Sequence, residues 1–369
     1  MIAATVTRVT PKMAKIFAKP TRVLPKILLI PVSKPEPDQI LTKTLVTGIS
    51  IGTELIDYRG AMEKLPEKWK KVHPYTFPQM PGYENVAEVI EVGKKVKDFK
   101  VGDRVVHCGF HAEYCIVPRR EALPVCEKLP DSVSNEDATM SILGTTAIWA
   151  VHRAEIEYGD NVVVQGDGCV GILTAMQAMH SGTEKVILVG NHPGKLAIAK
   201  KAGVKITINR KEKDWQEQVM AETNGLGPDI VIECVGSSTE PTMAVPEACE
   251  IVRQKGKIVI AGDHMAGQPD LIFLADPHFK ELTFIVSRAM GNGSHHPFLI
   301  DSLNKVQEYN YVHWTTTGLF KQVIKMIADG RLKVHPLITH RFKCTEVAEA
   351  FKLIDAKKED ILQALLTDW

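Results

Sequence analysis

Gly166-Asp167-Gly168-Cys169-Val170-Gly171 lies between the apolar run Asn161-Val-Val-Val-Gln165 and the helical run Val170 to His180. A lone G-x-G-x-x-G says little, but strand, turn and helix in this order make it a dinucleotide fingerprint. One glycine makes the tight turn, one lets the backbone approach a pyrophosphate, and one packs helix on strand. The helix N-terminus then offers unpaired N–H groups and a positive dipole end to phosphates. Gly166, Gly168, Cys169, Val170 and Gly171 are thus the first candidate cofactor contacts.

The residue ending the second strand, about 20 residues past the glycines, usually decides which dinucleotide binds. That strand is Lys185-Val-Ile-Leu-Val189, followed by Gly190-Asn191-His192-Pro193-Gly194-Lys195. No acidic residue stands where Asp or Glu would bind the ribose 2′-hydroxyl. Gly190 leaves room for a 2′-phosphate, and Asn191, His192, Lys195 and, after the third strand, Arg210 can donate hydrogen bonds or charge to it. The pattern favours NADP(H), with NAD(H) as the alternative.

From about 150 to 290, strands at 161–165, 185–189, 204–208, Asp229 to Glu233 and Lys257 to Ala261 alternate with amphipathic helices such as Gly194 to Ala202 and Lys213 to Thr223. Alternation of this kind implies βαβ units and an α/β fold with a doubly wound parallel sheet of Rossmann type. Ligands bind at the carboxyl ends of such strands, which adds Val235, Gly262 and His264 to the cofactor set. Before about 145 the runs are short and bounded by Pro, Gly or charge: Lys26 to Ile30, Gln39 to Thr47, Glu84 to Val92, Asp103 to His107 and Glu113 to Val117. They predict a β-rich module. Helices are expected again at Gly318 to Asp329 and near Thr345 to Lys357.

A chain of 369 residues with 44% hydrophobic and 24% charged residues is expected to bury two cores. Its net charge of +1 argues against nucleic-acid or membrane-surface binding by bulk electrostatics. No run of 18 uncharged apolar residues predicts a membrane span, and Met1 to Pro20, with Arg8, Lys12, Lys15 and Lys19, does not read as a secretory signal. Seven irregularly spaced cysteines suit a reducing, cytoplasmic location better than a disulfide framework.

Gly48-Ile-Ser-Ile-Gly-Thr-Glu54, Pro81-Gly-Tyr-Glu84 with Glu91-Val-Gly93, Val101-Gly-Asp-Arg-Val105, Ala112-Glu-Tyr114, the glycine fingerprint, Asp229-Ile-Val-Ile-Glu-Cys-Val-Gly236 and Pro336-Leu-Ile-Thr-His340 are each weak signals. In their order and spacing they resemble the medium-chain dehydrogenase/reductase (alcohol dehydrogenase-like) superfamily over nearly the whole chain. The resemblance implies a GroES-like catalytic domain made from 1–145 and 295–369, a Rossmann domain at 146–294, and hydride transfer in the cleft where they meet. It also implies homodimers or homotetramers, often formed through the Rossmann domains. The Gly-Thr-Glu form of the first motif and the Trp314 to His340 tail resemble members near sugar, polyol and bacteriochlorophyllide dehydrogenases.

Zinc-dependent members of the family place a cysteine in the first motif, a histidine before the glutamate of the second, and a Cys or acidic ligand further on. This chain has Ser50-Ile51, Tyr83 and Ser141-Ile142 at those places, and only Glu84 remains. Zinc in proteins takes thiolate, imidazole or carboxylate, so no catalytic zinc is expected. The four-cysteine lobe of the structural zinc is missing too, since Gly109 to Ala112 turns from one strand to the next. Cys108-x2-His111-x3-Cys115 offers soft ligands, but alternate residues of a strand face opposite ways and cysteines are often simply buried.

Without zinc another group must stabilise charge on the substrate oxygen as hydride moves. Tyr83 is the first candidate, because a phenol can hydrogen-bond to an alkoxide or carbonyl. Glu84 could orient it or act as a base if burial raises its pKa. Ser50 and Thr53 extend a proton relay, with Glu54 and Arg59 as cleft-edge candidates. The alternatives are a core tyrosine at 83 and a surface pair of Glu54 with Arg59. Asp263-His264 follows the fifth strand, which places His264 near the nicotinamide. Arg288, Asn292, His295 and His296 form a polar loop that lines a pocket or is an ordinary connection, and Trp69, Trp149 and Trp314 wall a cleft or fill cores. The leading function is a zinc-independent, NADP(H)-preferring oxidoreductase interconverting a secondary alcohol (polyol, cyclitol or sugar-like) and a ketone. A quinone or 2-enone reductase and a non-catalytic NADPH-binding protein are the alternatives; Glu84, Ser50 and Thr53 favour the first, since an enone pocket has less need of such polar groups.

Overall fold

The structure, a computed structural model, describes residues 14–18, 26–60, 80–117, 126–236, 242–264, 275–291, 314–356 and 358–369. Trp69, Asn292, His295 and His296 lie outside the described residues. The chain divides into two compact units, one drawn from Met1–Ile142, Asn292–Asp329 and Ile338–Trp369, the other from Leu143–Gly291 and Gly330–Leu337.

In the first unit β1 (Ala14–Ala18) pairs antiparallel with β2 (Lys26–Ile30). The main sheet starts with β3 (Ile40–Ile49), whose run of β-branched residues suits a strand buried along most of its length. Helix α1 (Ile51–Tyr58) follows, then β4 (Glu84–Val92), β5 (Arg104–His107), β6 (Tyr114–Val117), β7 (Cys126–Lys128) and α2 (Asn135–Thr139). β3 pairs with β4 and β6, β4 with β5, and β5 with β7, all antiparallel. Buried polar groups are matched across these strands. Thr42 donates to the Cys115 carbonyl at 3.1 Å and Thr44 to the Ala112 carbonyl at 2.5 Å. His107 accepts the Gly109 N–H at 2.9 Å, which leaves its other ring nitrogen to donate to Thr42 at 3.2 Å. Burial lowers the His107 pKa to about 3, so the ring is the neutral tautomer that this chain of bonds requires.

Helix α3 (Ser141–Ala154) leads into the second unit. There β8 (Asn161–Gln165), α4 (Cys169–Ala178), β9 (Lys185–Gly190), α5 (Pro193–Lys201), β10 (Ile206–Asn209), α6 (Trp215–Glu222), β11 (Ile230–Glu233), α7 (Ala244–Ile251), β12 (Lys257–Ile260), α8 (Ala275–Phe279) and β13 (Thr283–Val286) alternate. The six strands are all parallel, in the order β10-β9-β8-β11-β12-β13. This is the doubly wound order of a Rossmann sheet, with its switch point at β8. Val162, Val163, Val164, Val231 and Ile232 are fully buried because helices cover both faces of a parallel sheet. Strand β13, at the edge, was not among the five strands expected, and the third strand starts two residues later than expected.

The first unit resumes with α9 (Thr316–Ala328), β14 (Ile338–Lys343), α10 (Val347–Ala356) and β15 (Gln363–Thr367). β15 pairs antiparallel with β3 and parallel with β14, so residues from both ends of the chain share one sheet.

The three fingerprint glycines are needed for different reasons. Gly166 has φ +115° and makes the turn. A Cβ on Gly171 would strike the Gly166 carbonyl oxygen, so the third glycine packs the helix on the turn itself, with Cys234 beyond. Gly168 is exposed, with φ −80° at the N-cap of α4, and nothing lies within 4 Å of where its Cβ would be. Gly171→Ala should therefore destabilise the protein by about 2 kcal/mol, while Gly168→Ala should stay within about 1 kcal/mol of wild type. Chemical denaturation of the two variants measures the contrast, and equal losses would refute this division of roles.

Candidate functional site

In the first unit, β3 ends at Ile49 and Ser50 is the N-cap of α1, so that the Glu54 side chain turns back and accepts the Ser50 N–H at 2.8 Å. Glu54 is buried, and its other oxygen pairs with His111 Nε2 at 2.9 Å. The opposite ring nitrogen of His111 bonds Thr47 Oγ1 at 2.8 Å. Gly82, with φ +104°, lets the chain run hard against His111, for a Cβ there would lie 2.6 Å from its backbone nitrogen. Pro81-Gly82 thus delivers Tyr83 to the mouth of this network. The Tyr83 hydroxyl donates to Ser50 Oγ and is also bonded by Thr53. Burial, and then the charge of Glu84, raises the Tyr83 pKa above the ordinary phenol value, so the hydroxyl stays a donor at neutral pH.

Glu84 begins β4 and is fully buried. Gln363, the first residue of β15, donates to its Oε2 at 2.6 Å. Gly48 lies beside this bond, and any side chain there would collide with both partners. The second carboxyl oxygen, Oε1, has no hydrogen-bond partner. Burial is the main reason that the Glu84 pKa stands well above the carboxylate range; the neighbouring Glu54 adds to the rise and Gln363 opposes it. The residue is thus held toward its neutral, proton-bearing form.

Tyr83, Ser50, Thr53 and Glu84 therefore meet in one cluster, whereas the pairing of Glu54 with Arg59 is corrected. Glu54 turns inward to His111, and Arg59 donates to Asp355 on α10 at 2.7 Å. The soft ligands of 108–115 do not gather either. His111 is bonded at both ring nitrogens, the Cys115 thiol faces the Phe110 carbonyl, and burial pushes the Cys108 and Cys115 thiols up to about 12.

In the second unit, no side chain caps α4, and the open face of Gly168 beside its first N–H groups could cradle a pyrophosphate. Cys169 and Val170 open that helix. Gln165, at the end of β8, is buried with both amide atoms unpartnered, and Asn191 Oδ1, after β9, is buried and unpartnered. Orphaned polar atoms on either side of a glycine cradle fit a dinucleotide.

Two expectations on this side need correction. The space beside Gly190 is filled: a Cβ there would fall 2.5 Å from the Cβ of Asp167, whose carboxylate accepts the His192 N–H at 2.6 Å. Arg210 does sit next to Gly190, its N–H bonding the Gly190 carbonyl at 2.8 Å, but its guanidinium forks onto Glu247. His264 is held by the buried Glu233 at 2.8 Å. Glu233 also accepts the Val235 N–H at 2.5 Å, and Gly262 lies where a Cβ would meet its carboxylate at 2.8 Å. Val235, Gly262 and His264 are therefore gathered around Glu233, which the sequence reading did not single out. Lys195 lies in the first turn of α5, three residues past His192. Arg288 is exposed, Trp149 half-buried and Trp314 exposed.

A parallel Rossmann unit with a glycine cradle, joined in one chain to an antiparallel unit carrying buried acid and hydroxyl groups, defines a nicotinamide-dependent oxidoreductase. Residues 36–154 match the alcohol dehydrogenase GroES-like domain and residues 169–304 the zinc-binding dehydrogenase family. The chain is 26% identical to a sorbitol dehydrogenase of Halalkalibacterium halodurans over 90% of its own length and 94% of that protein's. Its fold is similar to that of a Sinorhizobium meliloti dehydrogenase bound to NADP (TM-score 0.77, 20% identity, 97% and 100% of the two chains). It is also similar to Escherichia coli galactitol-1-phosphate dehydrogenase (TM-score 0.74, 20% identity, 96% and 100%). The chain belongs to the medium-chain dehydrogenase/reductase superfamily and is an NAD(P)-dependent oxidoreductase.

The family description names zinc, but the donors here do not fit it. The Ser50 and Tyr83 hydroxyls bond each other, and both ring nitrogens of His111 are already bonded, to Thr47 and Glu54. Among the described residues no three His, Cys, Asp or Glu side chains gather as a metal site.

A raised pKa has a definite sign in stability. Below the unfolded value near 4.5, Glu84 is protonated in both states; as pH climbs toward the folded value, only the unfolded chain ionises and stability is lost. Glu84→Gln keeps the Gln363 contact without a titrating proton. Its melting temperature should exceed wild type by about 2 °C or more at pH 8, with the gap closing toward pH 4.5. A gap that does not change with pH would refute the assignment.

Proposed function

We propose that the protein interconverts a secondary alcohol of polyol, cyclitol or sugar type and the corresponding ketone, using NADP(H) and no zinc. The observation that carries this reading is the Tyr83–Ser50–Thr53 hydroxyl cluster beside the buried Glu84, with Ser50 and Tyr83 standing where the resemblance places zinc ligands. Gly166, Gly168 and the N-terminus of α4 would hold the pyrophosphate, with Asn191, His192 and Lys195 at the ribose end. The bound nicotinamide supplies the hydride donor or acceptor. In the reducing direction Tyr83 donates its hydrogen bond, and then its proton, to the carbonyl oxygen, and Ser50 and Thr53 relay a proton from solvent back to the phenol. Burial keeps the phenol protonated at neutral pH, so its O–H is present to donate.

The sorbitol and galactitol-1-phosphate dehydrogenases among the relatives support a polyol-like substrate, and the NADP-bound neighbour supports NADP(H). No disulfide joins any of the seven cysteines, which supports a reducing, cytoplasmic location. No helix among the described residues is long and apolar enough to cross a membrane. Strand β13 leaves Phe284 and Val286 exposed at a sheet edge, and Phe279 of α8 is exposed beside it in sequence. Bare apolar edges are usually covered by pairing, which supports a homo-oligomer built on this strand.

Tyr83→Phe should lower kcat for ketone reduction about 10²-fold while leaving the Kd for NADPH unchanged; a fall of less than about threefold removes Tyr83 from the mechanism. Elemental analysis should find less than roughly a tenth of a zinc per chain, and dialysis against a chelator should not change the rate. Stoichiometric zinc, or turnover of 2-enones without alcohol oxidation, would replace this reading. Light scattering should give a dimer or tetramer, and Val286→Asp should shift it toward monomer; a monomeric wild type would overturn the edge assignment.

A further inference from the structure

Asp167 lies between the first two fingerprint glycines, and its side chain is only 9% exposed. Its carboxylate reaches across to the end of β9, the place where an acidic residue would ordinarily meet the adenosine ribose, and where the strand itself offers only Gly190 and Asn191. The fold thus restores by a neighbouring loop the negative charge that the strand end lacks. A carboxylate there accepts a 2′-hydroxyl and repels a 2′-phosphate.

His192 is the counterweight. Its backbone N–H donates to Asp167 Oδ2 at 2.6 Å, and its ring Nδ1 lies 3.0 and 3.1 Å from the two carboxylate oxygens. The ring is 47% exposed. When it is protonated the pair carries no net charge, and the outer ring N–H remains to donate to a phosphate oxygen. When it is neutral the carboxylate is uncompensated. Arg210 cannot take over the task while its guanidinium is forked onto Glu247. Gly190 must stay bare, because a side chain there would displace Asp167.

We propose that Asp167 and His192 form a single cofactor-selecting pair, in which the carboxylate favours the 2′-hydroxyl of NAD(H) and the imidazole offsets it in favour of the 2′-phosphate of NADP(H). The proposal rests on the nicotinamide-dependent reading above, not on any substrate. It is tested by direct titration of the full chain with NADPH and with NADH, followed by cofactor fluorescence, in wild type, Asp167→Asn and His192→Gln. Asp167→Asn should lower the ratio Kd(NADPH)/Kd(NADH) about tenfold, and His192→Gln should raise it by a similar factor. Opposite movements cannot come from general damage to the fold. His192 is half-exposed, so its variant folds, and its ratio decides alone if Asp167→Asn does not accumulate. Ratios that move less than about twofold, or in the same direction, would overturn the pair. A wild type that prefers NADH while the variants still move oppositely would overturn the NADP(H) reading and leave the pair standing.

Discussion

The antiparallel pairing of Ala364, Leu365 and Leu366 with Ile49, Gly48 and Thr47 holds the first unit's site together. It brings Gln363 against Glu84 from 279 positions away in sequence, across a glycine that has no side chain to obstruct it. Once that strand is in place, Glu84 cannot reach water, and a buried carboxyl with one bonded and one orphaned oxygen is far easier to keep neutral than charged. The raised pKa of Glu84 follows chiefly from that burial, as that of Tyr83 follows first from its own.

Three other carboxylates near the candidate sites meet the same difficulty differently. Glu54 faces His111, Glu233 faces His264, and Asp167 faces His192, each within 3.0 Å. An imidazole can donate to a carboxylate in its neutral form and offset its charge when protonated, so each acid has an adjustable partner. Glu84 has only the amide of Gln363, which can donate but carries no charge. That difference in partner separates an acid suited to hold a proton from acids suited to position backbone and rings.

The alternation of strands and helices that makes a parallel sheet and the six-residue fingerprint were legible because they depend on local patterns. Continuous apolar strands, glycines in a fixed frame and short β runs are properties of neighbouring residues. Strand β13 was missed because Thr283-Phe-Ile-Val286 follows a helix of only five residues, too short to show a helical period. The cluster of Ser50, Thr53, Tyr83 and Glu84 could be named in advance, since family motifs mark those positions. Its chemistry could not, since that depends on Gln363 and on the depth of burial.

By itself the sequence determined the parallel sheet, the glycine cradle and the residue types available for chemistry, because backbone geometry and hydrophobic period are encoded over a few residues. The tertiary structure alone decided which charges meet. Gly190 looked like open space until the turn set Asp167 against it; Glu54 and Arg59 looked like neighbours until His111 and Asp355 claimed them separately. Electrostatic partners are set by distance in space and by the water excluded between them, and neither quantity is written in the local order of residues.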